Sequence, residues 1–498
     1  MGYSQIHSYA VSGIEVIPVS VETHLSSGLP KFTLVGLPEA VVKESKERVR
    51  SALMHHQLPF PKQRITINLA PADLPKQGGA FDLPIAIGLL AAQGLFSDID
   101  WSEYVFCGEL GLAGQLRPIQ GVLPMLMQAC KQLILPASQP EYQVIQSKHT
   151  ALVAEDLLAI ISHLKGETTL PQHPTQTLTS NENEPDFNSV VGQTLGKQAV
   201  TLAAVGGHAL RFIGPPGCGK SLLAQLLSEC LPHLNEHDYL MRASLYQAAH
   251  LPHPDNYRPS FRSPHHSVSR AGLIGGGNPI RPGEISLAHQ GILFLDEIAE
   301  MPRKLLECLR EPIEQQQVHL ARASHIVTFP SAFQLICAMN PCPCGYLTDP
   351  NHPCDCSSQA IEQYQSRLSG PFLDRIALHV HLHPPHLSND QPLSNAPLTL
   401  SAIQTLRTQQ FERQGCLNNQ LNTAHPILKQ NTSSEAYTLL SNIYQTQHLS
   451  MRALGHLHTT AFTFADISDS PHINAQHIEQ AWMFQSKAMH LKTYAPSI

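Results

Sequence analysis

The run Gly214-Pro-Pro-Gly-Cys-Gly-Lys220-Ser221 fits the pattern GxxxxGKS in full. Glycines at this spacing let backbone N–H groups turn inward around phosphate oxygens, so Gly214, Pro215, Pro216, Gly217, Cys218 and Gly219 would wall a phosphate cradle. Lys220 would reach the outer phosphates, and the Ser221 hydroxyl would ligate magnesium. Further along, Ile292-Leu-Phe-Leu-Asp296-Glu297 closes an apolar run with two acids. Alone, such a run can simply end a strand; beside the first motif it predicts Asp296 in the magnesium shell and Glu297 polarising the attacking water. ATP and Mg2+ are therefore the expected cofactors. Hydrolysis also needs a polar group to align the water and positive charge for the transition state. Asn340 is placed for the first task. Arg375 and Arg452 are candidates for the second, with ordinary solvated arginines as the alternative.

A second cluster has metal-ligand chemistry. Cys342-Pro-Cys344 and Cys354-Asp-Cys356 are two Cys-x-Cys pairs, with Gly345, Pro350 and Pro353 in the loop between them. Four thiolates can surround a structural Zn2+ tetrahedrally, with His352 as a substitute ligand. Free thiols in a reducing cell are the alternative, because Cys-x-Cys has a tighter bite than the common Cys-x-x-Cys.

These residues need elements to hold them. Ala209-Leu-Arg-Phe-Ile213, Gly291-Ile-Leu-Phe-Leu295 and Phe333-Gln-Leu-Ile-Cys-Ala338 read as short buried strands, and residues 221–231 as a helix. Strands alternating with helices predict a parallel sheet covered on both faces. Residues 13–22 and 64–69 read as strands and 41–53 and 84–93 as helices, which makes an α+β N-terminal domain. Helical runs at 401–414, 433–447, 451–467 and 474–489 predict a C-terminal bundle. Stretches rich in Thr, Pro, Asn and Gln predict linkers at 166–187 and 385–400. The expected class is α/β multidomain, with domains at 1–165, 188–384 and 401–498.

A chain of 498 residues exceeds what one core usually supports, in keeping with that division. With 32 Lys+Arg against 39 Asp+Glu the formal charge is −7, so any nucleic-acid contact must be local. Arg258, Arg262, Arg270 and Arg281 sit among Ser, His and Gly, either as phosphate-contacting groups on flexible loops or as solvated arginines. No stretch has the apolar length of a membrane span, and no basic segment precedes an apolar run at the start; a cytoplasmic location with no membrane partner is expected. Several of the eleven cysteines stand singly in helix-like or strand-like runs, which suits reduced thiols. The 29 histidines single out no residue.

Longer motifs bring a family into view: Gly36-Leu-Pro38, Arg64-Ile-Thr-Ile-Asn-Leu-Ala-Pro-Ala-Asp-Leu-Pro-Lys76, Phe81-Asp-Leu-Pro-Ile85, Phe261-Arg-Ser-Pro-His-His-Ser267, Ile274-Gly-Gly-Gly277, Pro282-Gly-Glu-Ile-Ser-Leu-Ala-His289 and Asn340-Pro-Cys-Pro-Cys-Gly345. On these, almost the whole chain resembles the magnesium-chelatase-like AAA+ proteins of the YifB/ComM type. The resemblance implies a homo-hexameric ring with ATP at subunit interfaces, Arg375 as a trans-acting arginine finger, and Arg452 as the second sensor on a C-terminal helical lid. It also implies a helicase that drives branch migration on single-stranded and branched DNA in homologous recombination and natural transformation, with recombination proteins as partners. Residues 238–283 resemble the helix-2 insert of that clade, and the segment carrying Arg322 resembles the hairpin before the first sensor. Both would face the ring's pore.

The N-terminal region resembles a Lon-protease-like (ribosomal S5 domain 2-like) domain, most clearly in Cys107-Gly-Glu-Leu-Gly-Leu-Ala-Gly-Gln-Leu-Arg-Pro118. Ala80 and Leu123 stand where that resemblance puts the catalytic serine and lysine, so the domain is expected not to be a protease. The helix after Arg452, Gly455-His-Leu-His-Thr-Thr-Ala-Phe-Thr-Phe-Ala-Asp466, lacks the basic residues usual in the family. Three other readings remain. A magnesium-chelatase ATPase subunit shares the motor core, although residues 1–165 count against it. The others are an AAA+ protein remodeller or unfoldase, and a DNA-binding scaffold without activity, which the intact Lys220, Asp296 and Glu297 oppose.

Overall fold

A computed structural model describes residues 2–36, 40–72, 78–96, 99–144, 151–174, 184–253, 256–322, 325–384 and 398–485, without the side chains of 40–43, 143–144, 322 and 325. Contacts divide the chain into two compact units. The first comprises Met1–Ser180, Asn235–Asn256 and His319–Phe329; the second comprises Asn181–Leu234, Tyr257–Val318 and Pro330–Ile498.

In the first unit, strands Gly2–Ser12 and Glu15–Ser26 form an antiparallel hairpin, and Arg64–Ala70 and Lys31–Val35 complete a four-stranded sheet. Val19, Val21, Thr23 and Leu25 alternate inward, as a half-buried strand requires. The almost wholly buried helix Asp82–Ala92 packs against the hairpin. Its first residue, Asp82, is fully buried and accepts from Arg48 Nε and Nη2 at 2.6 and 3.0 Å, which ties the Phe81–Ile85 motif to helix Ala40–His55 by an ion pair. Strands Tyr104–Phe106, Gln132–Pro136 and Leu152–Ala154 form a second, parallel sheet.

Two expectations change here. Residues 166–174 are not a free linker: Val153 N–H donates to Pro171 O at 2.9 Å, His173 N–H to Ala151 O at 3.0 Å, and Leu170 is buried. The span 238–283 is also not one body. Helix Glu236–Ala248 buries Tyr239, Leu240, Ala243 and Leu245 and packs on helix Val122–Gln128 of the first unit, whereas residues from Tyr257 onward belong to the second.

The second unit is built on a five-stranded sheet in the order Phe261–Arg262, Ile292–Leu295, Gln334–Met339, Leu210–Ile213, Leu378–His381, with all neighbours parallel. Parallel strands put all their carboxyl ends at one edge, where ligands of such sheets bind. The strand leading to Asn340 lies between those leading to the two nucleotide motifs. Helices Leu400–Gln414, Ser434–Thr446, Met451–Ile467 and Ala475–Trp482 form the C-terminal helical region, started by side-chain caps from Thr399, Ser433, Ser450 and Asn474. The last helix stops short of the expected run because Phe484 turns inward, buried, with its carbonyl accepting from His379 N–H at 2.8 Å. Residues 486–489 of that run, and the linker at 385–397, lie outside the described residues.

Candidate nucleotide site

Strand Leu210–Ile213 is buried throughout and feeds the Gly-rich loop into helix Lys220–Glu229. Gly217 and Gly219 adopt φ of +77° and +94°, a left-handed backbone that glycine tolerates and that lets the loop curl. The helix start aims free N–H groups and the positive end of its dipole toward the loop. Lys220 Nζ donates to Gly214 O at 2.7 Å, Pro215 O at 2.9 Å and Asn340 Oδ1 at 3.1 Å. Burial pulls the lysine's pKa down, against the opposing pull of Cys218, Asp296 and Glu297. Its three protons thus rest on acceptors that phosphate oxygens can replace.

Ser221 Oγ lies 3.4 Å from Asp296 Oδ2, and Asp296 Oδ1 accepts from Glu297 N–H at 2.8 Å. A hydroxyl beside a single carboxylate suits Mg2+, which keeps most of its waters and takes few protein ligands beside phosphate oxygens. Glu297 has φ of +48°, a left-handed conformation that strains a non-glycine residue by roughly 1–3 kcal/mol and tends to occur at functional positions. Its Oε2 is 3.1 Å from His266 Nδ1. His266 stands in the quoted motif Phe261-Arg-Ser-Pro-His-His-Ser267, but sequence reasoning assigned it no role. The two residues meet because strand Phe261–Arg262 pairs with Ile292–Leu295, which spacing along the chain does not disclose.

Arg375 and Arg452 come together on one acid. Both donate to Glu314 Oε1, Arg375 Nη2 at 2.6 Å and Arg452 through a short contact from Nη2; Arg375 also bonds Pro371 O. Burial lowers the Arg375 pKa, Glu314 opposes this, and the nearby Arg452 and Arg310 add to the lowering. These three residues help line a cavity of about 660 Å³ together with Asn419 and Asn422. No hydrogen bond joins either arginine to Lys220, Ser221, Asp296 or Asn340 among the described residues. Glu314, from helix Arg310–Gln315, is a second residue the sequence did not single out.

The DNA-contact candidates differ among themselves. Arg262 is committed to Glu284 by a bidentate pair at 2.6 and 2.7 Å. Arg258, Arg270 and Arg281 are exposed, and Arg281 belongs to a small hairpin in which Arg281–Pro282 pairs with Gly275–Gly276. The side chain of Arg322 lies outside the described residues. The glycines of Ile274-Gly-Gly-Gly277 serve this hairpin, since Gly275, Gly276 and Gly277 adopt φ of +113°, +147° and +98°. Cys342, Cys344, Cys354 and Cys356 place their sulfurs within 4.8 Å of one another, whereas His352 Nδ1 turns to Asp349 Oδ2 at 3.0 Å and takes no place among them. In the first unit Ala80 and Leu123 are both buried.

Three family models match the chain: magnesium chelatase, subunit ChlI, over residues 186–390; subunit ChlI of Mg-chelatase over 21–139; and magnesium chelatase, subunit ChlI C-terminal, over 399–485. The chain belongs to the magnesium-chelatase-like AAA+ family of the YifB/ComM type. The uncharacterized protein YifB of Escherichia coli (strain K12) is 40% identical over 98% of this chain and 97% of its own length. Competence protein ComM of Haemophilus influenzae is 39% identical over 97% of each. Lon protease 2 of Bacillus subtilis is 27% identical over 30% of this chain and 28% of its own.

Proposed function

We propose that the chain is an ATP- and Mg2+-dependent motor that works as a homo-hexamer on single-stranded and branched DNA, driving branch migration in recombination and natural transformation. One observation carries this reading. Lys220, Ser221, Asp296 and Asn340 gather at the carboxyl edge of one sheet, while Arg375 and Arg452 share Glu314 and make no bond to that cluster. Cations that bond to none of their own chain's phosphate-site residues suit groups that complete a neighbouring subunit's site. The competence role in the name of the Haemophilus relative supports the DNA task. Contacts to DNA would fall to Arg258, Arg270, Arg281 and Arg322, with Arg262 held back by Glu284.

In this reading residues 1–165 are a Lon-protease-like platform without proteolytic activity, since neither Ala80 nor Leu123 can attack a carbonyl or accept a proton. Residues 188–384 are the motor core, 401–498 the lid, and the four cysteines hold one zinc ion. No described helix is long and apolar enough to cross a membrane, and we place the motor in the cytoplasm. A second reading, the ATPase subunit of a magnesium chelatase, is favoured by the descriptions of the matching models. Because residues 21–139 match one of these models too, the N-terminal region no longer counts against it.

ATP hydrolysis measured with and without single-stranded DNA, followed by strand movement on a three- or four-stranded junction, tests the proposal, with Glu297→Gln as control. DNA-stimulated hydrolysis and strand movement are expected. Hydrolysis without either DNA response would leave the chelatase or protein-remodelling readings.

A further inference from the structure

The four cysteines begin two residues after Asn340, the group that touches Lys220. Three of the sulfur pairs are 3.3 Å (Cys342–Cys344), 3.7 Å (Cys342–Cys354) and 3.5 Å (Cys344–Cys354) apart. Zinc–sulfur bonds of about 2.3 Å in a tetrahedron put sulfurs about 3.8 Å apart, so the cage already has nearly the size of a zinc tetrathiolate. All four cysteines are free of disulfides.

The loop that carries this cage is packed against the nucleotide site. Gly345 stands at φ +87°, and a Cβ placed there would lie 2.8 Å from Pro216 Cδ of the phosphate loop and 3.7 Å from Asn340 Cγ. On the other side, Gln365 Nε2 donates at 3.0 Å to the carbonyl of Pro341, the residue between Asn340 and the first cysteine. Apart from the buried Cys342, the cysteines are partly open to solvent, so the loop has little apolar core of its own to hold its shape. Like-charged sulfurs at these distances would repel without a cation between them.

We infer that a zinc ion bound by Cys342, Cys344, Cys354 and Cys356 acts as a strut for the nucleotide site, fixing Gly345 against Pro216 and thereby setting Asn340 and the phosphate loop in register. The inference rests on the zinc reading above and adds a role to it. In that role the four cysteines are positioning residues that touch neither the nucleotide nor the attacking water. Loss of the metal frees the loop, and Asn340 and the phosphate loop fall out of register with each other.

The test uses the full chain purified in reductant without added metal. Elemental analysis is expected to find about one zinc per chain, and a fluorescent ATP analogue to bind in Mg2+ without turnover. After the zinc is stripped with a chelator and Mg2+ restored, the analogue is expected to bind about tenfold more weakly, the loss of roughly one charge-assisted contact. Gly345→Ala keeps all four thiolates yet forces the loop away from Pro216, so it should retain zinc while losing affinity to a similar degree. Absence of stoichiometric zinc removes both the metal and the strut. Zinc that is present but can be stripped with no change in affinity, or a Gly345→Ala protein that binds like wild type, overturns the strut alone and leaves the metal in place.

Discussion

The phosphate half of the candidate site and its arginine half balance their charges in different ways. Lys220 spends its protons on two carbonyls of its own loop and on Asn340, all neutral acceptors that a phosphate can displace without separating an ion pair. Arg375 and Arg452 instead share one oxygen of Glu314, two guanidinium groups on a single carboxylate. The first half is ready for a nucleotide within one chain. The second is under-neutralised, and a phosphoryl group carrying more negative charge can draw both arginines from Glu314.

The largest expected effects test whether the halves serve different nucleotides. Lys220→Ala and Arg375→Ala should each slow hydrolysis on the order of a thousandfold, but only Lys220→Ala should lose nucleotide binding. Mixing the two inactive chains should restore part of the activity, because each supplies the half the other lacks. Equal loss of nucleotide affinity in both variants, with no recovery on mixing, would put the arginines on the chain's own nucleotide.

Within the phosphate half, Glu297→Gln should retain nucleotide binding while hydrolysis falls about a hundredfold or more. Weakened binding in that variant would assign Glu297 to the magnesium shell with Asp296. His266→Ala probes the same carboxylate from outside. Releasing the Oε2 held at 3.1 Å should raise the DNA-free rate by about threefold, the scale of one partly exposed hydrogen bond. A drop in rate would mean that His266 aims the base.

The smallest effect belongs to Glu314→Gln. Freeing both arginines from the carboxylate should lower the protein concentration needed for half-maximal hydrolysis by about twofold to threefold. Glu314→Asp, which keeps the charge, should stay near wild type. A rise in that concentration would show that Glu314 orients the arginines for catalysis.

Much of the phosphate half was legible in the chain because a phosphate loop is local chemistry. Glycines, a lysine and a hydroxyl within eight residues make the cradle, and a buried strand before and a helix after supply its frame. The starts of the four C-terminal helical runs, expected at 401, 433, 451 and 474, were likewise legible, since the structure begins those helices at Leu400, Ser434, Met451 and Ala475. Histidine resisted such reading. His208 bonds Thr463 at 2.8 Å, with burial holding its pKa down at about 3, whereas His266 sits on Glu297. Composition alone cannot tell a neutral core histidine from one at a working carboxylate.

The sequence by itself determined that a triphosphate loop, an acidic pair and four clustered cysteines are present, because each depends on residues close together in the chain. Only the tertiary structure decided that His266 meets Glu297, that Arg375 and Arg452 share Glu314, and that Gly345 presses the cysteine loop against Pro216. Those contacts join residues far apart in sequence, and they arise from the order of parallel strands and the packing of helices on them, which no spacing rule along one chain encodes.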